Sequence, residues 1–122
     1  MSTYERGLLV ISEQHKVLPE QEAILNRVFV NGWERINIPA SGLTLDEIEM
    51  LHLNLQDISE KSSEGTCVVF ASPIPALLKL CCFSCALLDA PTGVMVFHKS
   101  QRKATEANGT LTHSLEGEWQ LA

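Results

Sequence analysis

Apolar residues along the chain form short continuous runs, separated by segments in which they recur at helical spacing. Three runs are apolar without alternation: GLLVIS from Gly7, CVVFA from Cys67, and residues 94–97. Such runs are typical of strands buried on both faces of a parallel sheet. The segment WERINIP, in which Ile36 and Ile38 alternate with polar residues, predicts a further strand nearer the sheet edge.

Three intervening segments predict helices. The first, LPEQEAILNRVF, has a proline in its first turn, and the second, TLDEIEMLHLNLQDISEKS, opens with Thr44 and Glu47 as a capping box. The third is expected to start with Ser72 as N-cap and Pro73 as first residue, and to run to about Leu88. Because it is apolar nearly all round, either the fold or a second subunit must cover it.

The dipeptide Asn108-Gly109 lies between two extended runs, which predicts an antiparallel hairpin pairing residues 94–105 with 110–121. The resulting order, β-α-β-α-β-α-β-β, favours an α/β fold. We expect a Rossmann-like, mostly parallel sheet with helices on both faces and a C-terminal β-hairpin. At 122 residues the chain is expected to form one domain, 1–122.

Composition narrows the functional classes. Hydrophobic residues make up 45% of the chain, and the formal net charge is -6. An acidic balance argues against general binding of DNA or long RNA, although it allows one small anionic ligand in a locally positive pocket. The start MSTYERG does not resemble a signal peptide, and the apolar stretch 74–88 is short for a membrane span and contains Lys79. We therefore expect a soluble cytoplasmic protein with no membrane partner.

The four cysteines are Cys67, Cys81, Cys82 and Cys85. A CxxC pair invites a zinc or redox interpretation, but a structural zinc site needs four ligands and only Cys67, inside an apolar run, is left over. The sequence favours small apolar core residues, with a metal or redox role as the alternative. No cofactor or metal is expected.

Polar residues follow three of the predicted strands where each one ends. Ligands of open parallel sheets bind at the carboxyl ends of the strands. The candidates are Ser12, Gln14 and His15 after the first strand, Ala71, Ser72 and Pro73 after the third, and His98, Lys99, Ser100, Arg102 and Lys103 after the fourth. The last group holds three of the nine Lys and Arg residues, which suits a phosphate beside a helix N-terminus. Alternatively, these cations solvate a strand end, or balance Glu106 and Glu118.

Three stretches resemble a known family: VISEQHKVLPEQ, CVVFASPIPALL and FHKSQRKATEANGTLTHS. They are similar to parts of small stand-alone CARF-like proteins of type III CRISPR systems, a group that includes ring nucleases. The first stretch resembles the strand, turn and helix start with which these proteins open. The second resembles their third strand and the apolar helix after it, and the third resembles their final basic turn and hairpin. The match departs from the family after the third strand, where Ser72-Pro73-Ile74-Pro75 replaces a turn that often carries Gly and polar residues.

The resemblance implies a homodimer that binds cyclic oligoadenylate, such as cyclic tetra-adenylate, across its two-fold axis. It implies metal-independent attack of a ribose 2′-OH on the adjacent phosphate, which leaves a 2′,3′-cyclic phosphate. Arg102, with Lys103 or Lys99, is then expected to stabilise the phosphate, and His15 to act as acid or base. Two other hypotheses stay open: a CARF-like sensor that binds the ring without cutting it, and an interaction protein whose apolar third helix is the partner surface.

Overall fold

The computed structural model describes residues 5–62, 65–98, 101–107, 109–116 and 119–122, with 101–107 and 110–116 described by their backbone. Its elements are β1 (Arg6–Ser12), α1 (Pro19–Val28), β2 (Trp33–Ile38), α2 (Leu45–Lys61), β3 (Thr66–Phe70), α3 (Pro75–Leu88), β4 (Gly93–His98), β5 (Gln101–Ala107), β6 (Thr110–Glu116) and β7 (Gln120–Leu121). Within these ranges, no helix is both long enough and apolar enough to cross a membrane.

Five strands form one sheet in the order β2-β1-β3-β4-β7. The pairs β1–β2, β1–β3 and β3–β4 are parallel, and β7 joins β4 antiparallel. This confirms the predicted mostly parallel α/β sheet, including the place of β2 at its edge. The backbones of β5 and β6 pair antiparallel in a separate two-stranded sheet, with Ala107 opposite Thr110.

Helices cover the two faces of the five-stranded sheet unequally. Leu8 and Val10 of β1 point into a core shared with α2 and α3, whereas Leu9 and Ile11 point into a second core shared with α1. This division follows from right-handed crossovers, because the chain moves one way from β1 to β2 and the other way from β2 to β3 and β4. On the α1 face, Leu121 of β7 and the preceding Trp119 pack against the second core.

The third helix starts later than the sequence predicted. It begins at Pro75, and its N-cap is Ile74, not Ser72. The reason is that a residue preceding proline avoids helical backbone angles, so Ile74 is held out of the helix (φ −131°, ψ 85°) by Pro75. Ser72 is thereby released from capping and is available for another contact. The predicted capping box of α2 is confirmed, since Thr44 and Glu47 bond each other's backbone N–H.

A close approach fixes α1 against β1. The Phe29 side chain, at the end of α1, passes so near Gly7 that a Cβ added at Gly7 would lie 2.7 Å from the Phe29 ring. Real Cβ atoms essentially never come so close. Gly7 is therefore required here for space, and it allows the buried Phe29 ring to lie directly on the first strand.

Candidate functional site

The strand order reverses its direction between β1 and β3, which is where open α/β sheets bind ligands. A pocket of about 440 Å³ opens at this switch point, beside the carboxyl ends of both strands. We call it the switch-point pocket, and its lining residues are Ile11, Gln14, His15, Lys16, Leu18, Gln21, Ala71 and Trp119. The structure thus brings together three of the predicted site residues, Gln14, His15 and Ala71.

Hydrogen bonds join the turn after β1 to the turn after β3 at the carboxyl edge of the sheet. The backbone N–H of Ser12, at the end of β1, donates to the Oγ of Ser72 over 2.9 Å. The backbone N–H of Ala71 donates to the carbonyl of Val10 over 2.9 Å. Because the N–H of Ser12 is already bonded to Ser72, it is not available to hold a phosphate, although the Ser72 hydroxyl keeps its own proton to donate.

Arg35 holds the turn that follows β1. From the edge strand β2, its Nη2 donates to the carbonyl of Ser12 over 3.0 Å and to the carbonyl of His15 over 2.6 Å. Its Nε donates to the Oδ1 of Asn37 on the same strand. One guanidinium therefore fixes both ends of the segment that carries Gln14 and His15. Sequence analysis missed this role; the only available signal was a cation in a strand adjacent to a candidate turn.

The same turn has further backbone support. The N–H of His15 donates to the carbonyl of Ser12 over 3.0 Å, and that of Glu13 donates to the carbonyl of Ile38 over 2.7 Å. The Glu13 carboxylate accepts the N–H of Ala40 over 3.0 Å. These bonds anchor the backbone while the side chains of Gln14, His15 and Lys16 remain exposed. The exposed group offers one cation, one imidazole and one amide to a ligand.

Gln21 supplies a polar group from the first turn of α1. Gln21 is only 5% exposed, and its Oε1 accepts the backbone N–H of Leu18 over 3.1 Å, which caps the start of α1 from its third residue. Since a backbone N–H needs an acceptor, this bond assigns the oxygen and leaves the Nε2 on the other side of the amide. Within the described residues, Nε2 bonds no protein atom, yet it is not sealed from solvent.

Trp119 forms the opposite wall of the pocket. It is half-buried and packs against Phe97 of β4, with ring centroids 6.3 Å apart and planes at 86°. Its segment is held on the sheet by two bonds between Val96 and Ala122, at 2.8 and 2.9 Å. Trp119 therefore both packs against the core and forms part of the pocket wall.

Two other predicted site residues, Pro73 and His98, do not line the switch-point pocket. Pro73 is exposed beyond the Ser12–Ser72 bond, and His98 is exposed at the end of β4, opposite Gln120 of β7. Lys99 and Ser100 lie outside the described residues. Arg102 and Lys103 belong to β5, of which the backbone alone is described. The phosphate-binding role of the basic cluster, formed by Lys99, Arg102 and Lys103, therefore stays a prediction.

The four cysteines differ in burial, and Cys85 is only partly buried. Cys67 and Cys81 are fully buried in the core, as predicted, and burial raises the pKa of each thiol to about 12. Cys82, in contrast, is exposed, which contradicts a core position for that residue; it faces outward because the buried positions of α3 are Leu77, Cys81 and Ser84. In the described part of the chain, no three His, Cys, Asp or Glu residues are grouped so as to hold a metal ion.

A second polar contact joins α2 and α3 on the other face of the sheet. The Nε2 of His52 lies 3.0 Å from the Oγ of Ser84, whose hydroxyl donates to the carbonyl of Cys81 over 3.2 Å. Because that proton is directed to a carbonyl, the Ser84 hydroxyl is poorly placed as a nucleophile. The contact between His52 and Ser84 therefore serves to hold α2 and α3 together. Desolvation lowers the pKa of His52 below its ordinary value of 6.5.

Comparison with protein-family models, with curated proteins and with solved structures finds no match to this chain. The geometry of the switch-point pocket therefore carries the functional argument.

Proposed function

We propose that this protein is a metal-independent ring nuclease that binds a cyclic oligoadenylate, such as cyclic tetra-adenylate, and opens it to linear products with a 2′,3′-cyclic phosphate. The observation that carries the proposal is the switch-point pocket, where His15 and Lys16 stand beside each other at the carboxyl edge of the sheet. The resemblance of the chain to stand-alone CARF-like proteins, whose domains are Rossmann-like, agrees with this sheet and this site.

The proposed reaction needs few groups from the protein. The 2′-oxygen must lie in line with the phosphorus and the leaving 5′-oxygen, and the charge on the phosphoryl oxygens must be offset. Lys16 lines the pocket and can contact those oxygens, and the Ser72 hydroxyl can donate to one of them. His15 takes the proton of the 2′-OH or returns one to the leaving oxygen, since an imidazole can both accept and donate a proton.

The basic cluster completes the proposed site. Arg102, with Lys103 or Lys99, is assigned to the phosphate, because this group holds three of the nine cations in a chain of net charge -6. A guanidinium binds two phosphoryl oxygens at once and keeps its charge at every relevant pH. In this mechanism the turn after β1 supplies proton transfer, and the basic cluster stabilises the negative charge on the phosphoryl oxygens.

A homodimer belongs to the same proposal. A ring of four identical nucleotides matches a two-fold symmetric site, which two copies of the chain would build. The helices α2 and α3 carry large apolar side chains that are more than half exposed; they are Met50, Leu53, Phe83, Leu87 and Leu88. Coverage of this surface by a second copy would bury apolar area that a monomer leaves in water.

The alternative is a sensor that binds the ring without cutting it. Both functions would use the same pocket. They differ in whether the protein holds the 2′-oxygen in line with the phosphorus, and less in the presence of a particular catalytic side chain. The exposed setting of His15 favours the enzyme, because a proton-transfer group must reach both solvent and substrate.

The deciding experiment incubates the purified protein with cyclic tetra-adenylate in the presence of EDTA and separates the products by chromatography. We expect linear products with a 2′,3′-cyclic phosphate, and a loss of at least about a hundredfold in rate for His15→Ala and for Arg102→Ala. Lys61→Ala is the matched control, since Lys61 is an exposed cation at the end of α2 that does not line the pocket. An intact ring that remains bound would assign the sensor function, and an intact, unbound ring would reject both.

A further inference from the structure

The edge strand β2 and the start of α2 border a groove that the proposed reaction does not use. We infer that this groove, which we call the edge groove, is the docking site for an extended basic segment of a partner protein, and that the segment adds to β2 as a further strand. Among the described residues, the edge groove and the switch-point pocket have no lining residue in common. The docking site is therefore separate from the proposed nuclease site and does not depend on it.

The outer side of β2 presents backbone groups to the surface. In the described part of the chain β2 pairs with β1 alone, because it stands at the end of the strand order. The carbonyl of Gly32, just before β2, accepts the N–H of Gly7, so the even-numbered residues turn their backbone groups to β1. Backbone groups alternate along a strand, and those of Trp33, Arg35 and Asn37 consequently face the open side. Such a row of N–H and C=O groups is a template for another strand.

The two charged side chains of β2 do not guard this open side. Charged residues on an edge strand usually discourage pairing with another chain. Here Glu34 is held by Arg6 of β1 over 3.2 Å. Arg35 donates from Nη2 to the carbonyls of Ser12 and His15 in the turn after β1. Both charges are thus directed toward β1, and neither blocks a strand that approaches from the other side.

The edge groove beside this strand has an apolar floor and an acidic rim. It has a volume of about 390 Å³, and Ile38, Leu43 and Leu51, which are buried or half-buried, form its floor. Asp46 and Glu47, in the first turn of α2, are exposed at its rim. Among the described residues that line it, none is Lys or Arg. A segment with cationic side chains therefore complements the charge of this groove.

The alternation of side chains in a sheet connects the open edge to the groove. Ile36 and Ile38 of β2 belong to the core under α2, whereas Trp33 packs on the α1 side. Side chains directly opposite each other in paired strands lie on the same face, so every second side chain of an added strand would lie toward α2. The segment that fits has Lys or Arg at these positions and apolar residues between them. Main-chain bonds then supply affinity, and the alternate side chains supply specificity.

The test measures the binding of fluorescein-labelled heptapeptides to the full-length protein by fluorescence anisotropy. One peptide alternates valine with lysine, and its control alternates valine with glutamate. We expect the lysine peptide to bind at least about tenfold more tightly. Two further lysine peptides are N-methylated, one at its valines and one at its lysines. One of the two should lose binding and the other should keep it, because only one set of N–H groups in an added strand faces β2.

Three results of this measurement would overturn the inference. They are equal binding of the lysine and glutamate peptides, equal binding of the two methylated peptides, and binding of no peptide at all.

Neutral variants test the acidic rim without disturbing the helix. Asp46→Asn combined with Glu47→Gln removes both charges, and glutamine can keep the capping box with Thr44. Affinity for the lysine peptide should fall about three- to tenfold, and the difference should shrink at high salt. Asp57→Asn with Glu60→Gln is the matched control, because both acids are exposed on the same helix and do not line the groove. An equal loss in both double variants would assign the effect to net charge and contradict docking at the rim.

Hydrogen exchange locates the bound peptide on β2. In the protein alone, the amides of Arg35 and Asn37 should exchange fast, and the amide of Ile36, which faces β1, should exchange slowly. Saturation with the lysine peptide should slow exchange at Arg35 and Asn37 at least about tenfold and leave Ile36 unchanged. Slow exchange at Arg35 and Asn37 without peptide would show that a second copy, or another part of this chain, already covers the edge. That result would overturn the inference.

Discussion

The backbone N–H of Ser12 donates to the hydroxyl oxygen of Ser72 over 2.9 Å, across 60 residues of chain. The bond joins the turn after β1 to the turn after β3, and these two turns flank the point where the strand order reverses. It also explains what Ser72 does in place of capping α3. The candidate site is thus held together by a contact between its two sides.

Removal of this bond should loosen the site. In Ser72→Ala the partly buried N–H of Ser12 loses its acceptor, so we expect the free energy of unfolding to fall by about 1 kcal/mol. Ser72→Thr keeps the oxygen and should stay near the wild type. Urea denaturation of both variants measures the difference; equal destabilisation of Ala and Thr would mean that the bond is not the cause.

Arg35→Ala should affect the pocket more than a surface cation does. The loss of the Arg35 bonds to the carbonyls of Ser12 and His15 should cost about 1–3 kcal/mol and raise the KM for the proposed ring substrate. Arg6→Ala is the matched control on the neighbouring strand. Its ion pair with Glu34 is exposed and is worth at most about 1 kcal/mol.

Hydrogen exchange gives a direct measurement of this effect. The amide of His15, which donates to the carbonyl of Ser12, should exchange faster in Arg35→Ala than in Arg6→Ala. Similar exchange in both variants would show that backbone bonds alone hold the turn. Arg35→Lys should recover part of the protection, because an ammonium reaches one carbonyl more readily than two.

Gly7→Ala should destabilise the protein through a clash. The added methyl would meet the Phe29 ring at 2.7 Å, and overpacking of this kind costs about 1–3 kcal/mol. A second substitution, Phe29→Leu, should relieve part of the cost when it is combined with Gly7→Ala. A double-mutant cycle by thermal or urea unfolding measures that coupling, and additive effects would contradict the proposed contact.

Acid should weaken the α2–α3 contact at His52. Desolvation lowers its pKa below 6.5 in the folded protein, so the unfolded chain binds the proton more readily. The stability that neutral His52 contributes is therefore present above pH 6.5 and is lost as the pH falls from there through the folded pKa. Urea unfolding between pH 8 and pH 5 should show a shallower decline for His52→Gln; an unchanged pH profile would assign the decline to other groups.

The exposed face of α2 and α3 should control the proposed dimer. Phe83 and Leu87 are each about two-thirds exposed, and Phe83→Lys or Leu87→Lys should lower the mass measured by light scattering. Val30→Lys, at an exposed apolar residue in the turn after α1, should leave the mass unchanged. A wild-type protein of monomer mass at micromolar concentration would reject the dimer.

The sheet could be predicted from the sequence because its central strands are apolar without interruption. Residues 8–11 and 67–70 are apolar without interruption and are fully buried, so their runs left little choice between strand and helix. The capping box at Thr44 was equally local and equally visible. The start of α3 was predicted two residues too early, because Ser72-Pro73 is a good helix start in isolation, and the effect of Pro75 on Ile74 outweighs it.

The candidate site was predictable only in part. The rule for carboxyl ends of strands selected Gln14, His15 and Ala71, and these three residues line one pocket. Arg35 and Trp119 could not be found in this way, since each acts across a strand pairing that no local pattern encodes. Gln21 was visible as part of a helix start, but its buried amide becomes apparent only when the chain is folded.

The position of β1 between β2 and β3 has a consequence for the folding kinetics of this protein. Both of its partners come later in the chain, and β3 begins 60 residues after β1 does. Long-range parallel pairing of this kind slows the approach to the transition state, because the chain must close large loops before contacts form. The Ser12–Ser72 bond can form only after β3 has paired with β1, because Ser72 follows β3 and Ser12 ends β1. A ligand of the switch-point pocket should therefore slow global unfolding and raise the melting temperature as its concentration increases.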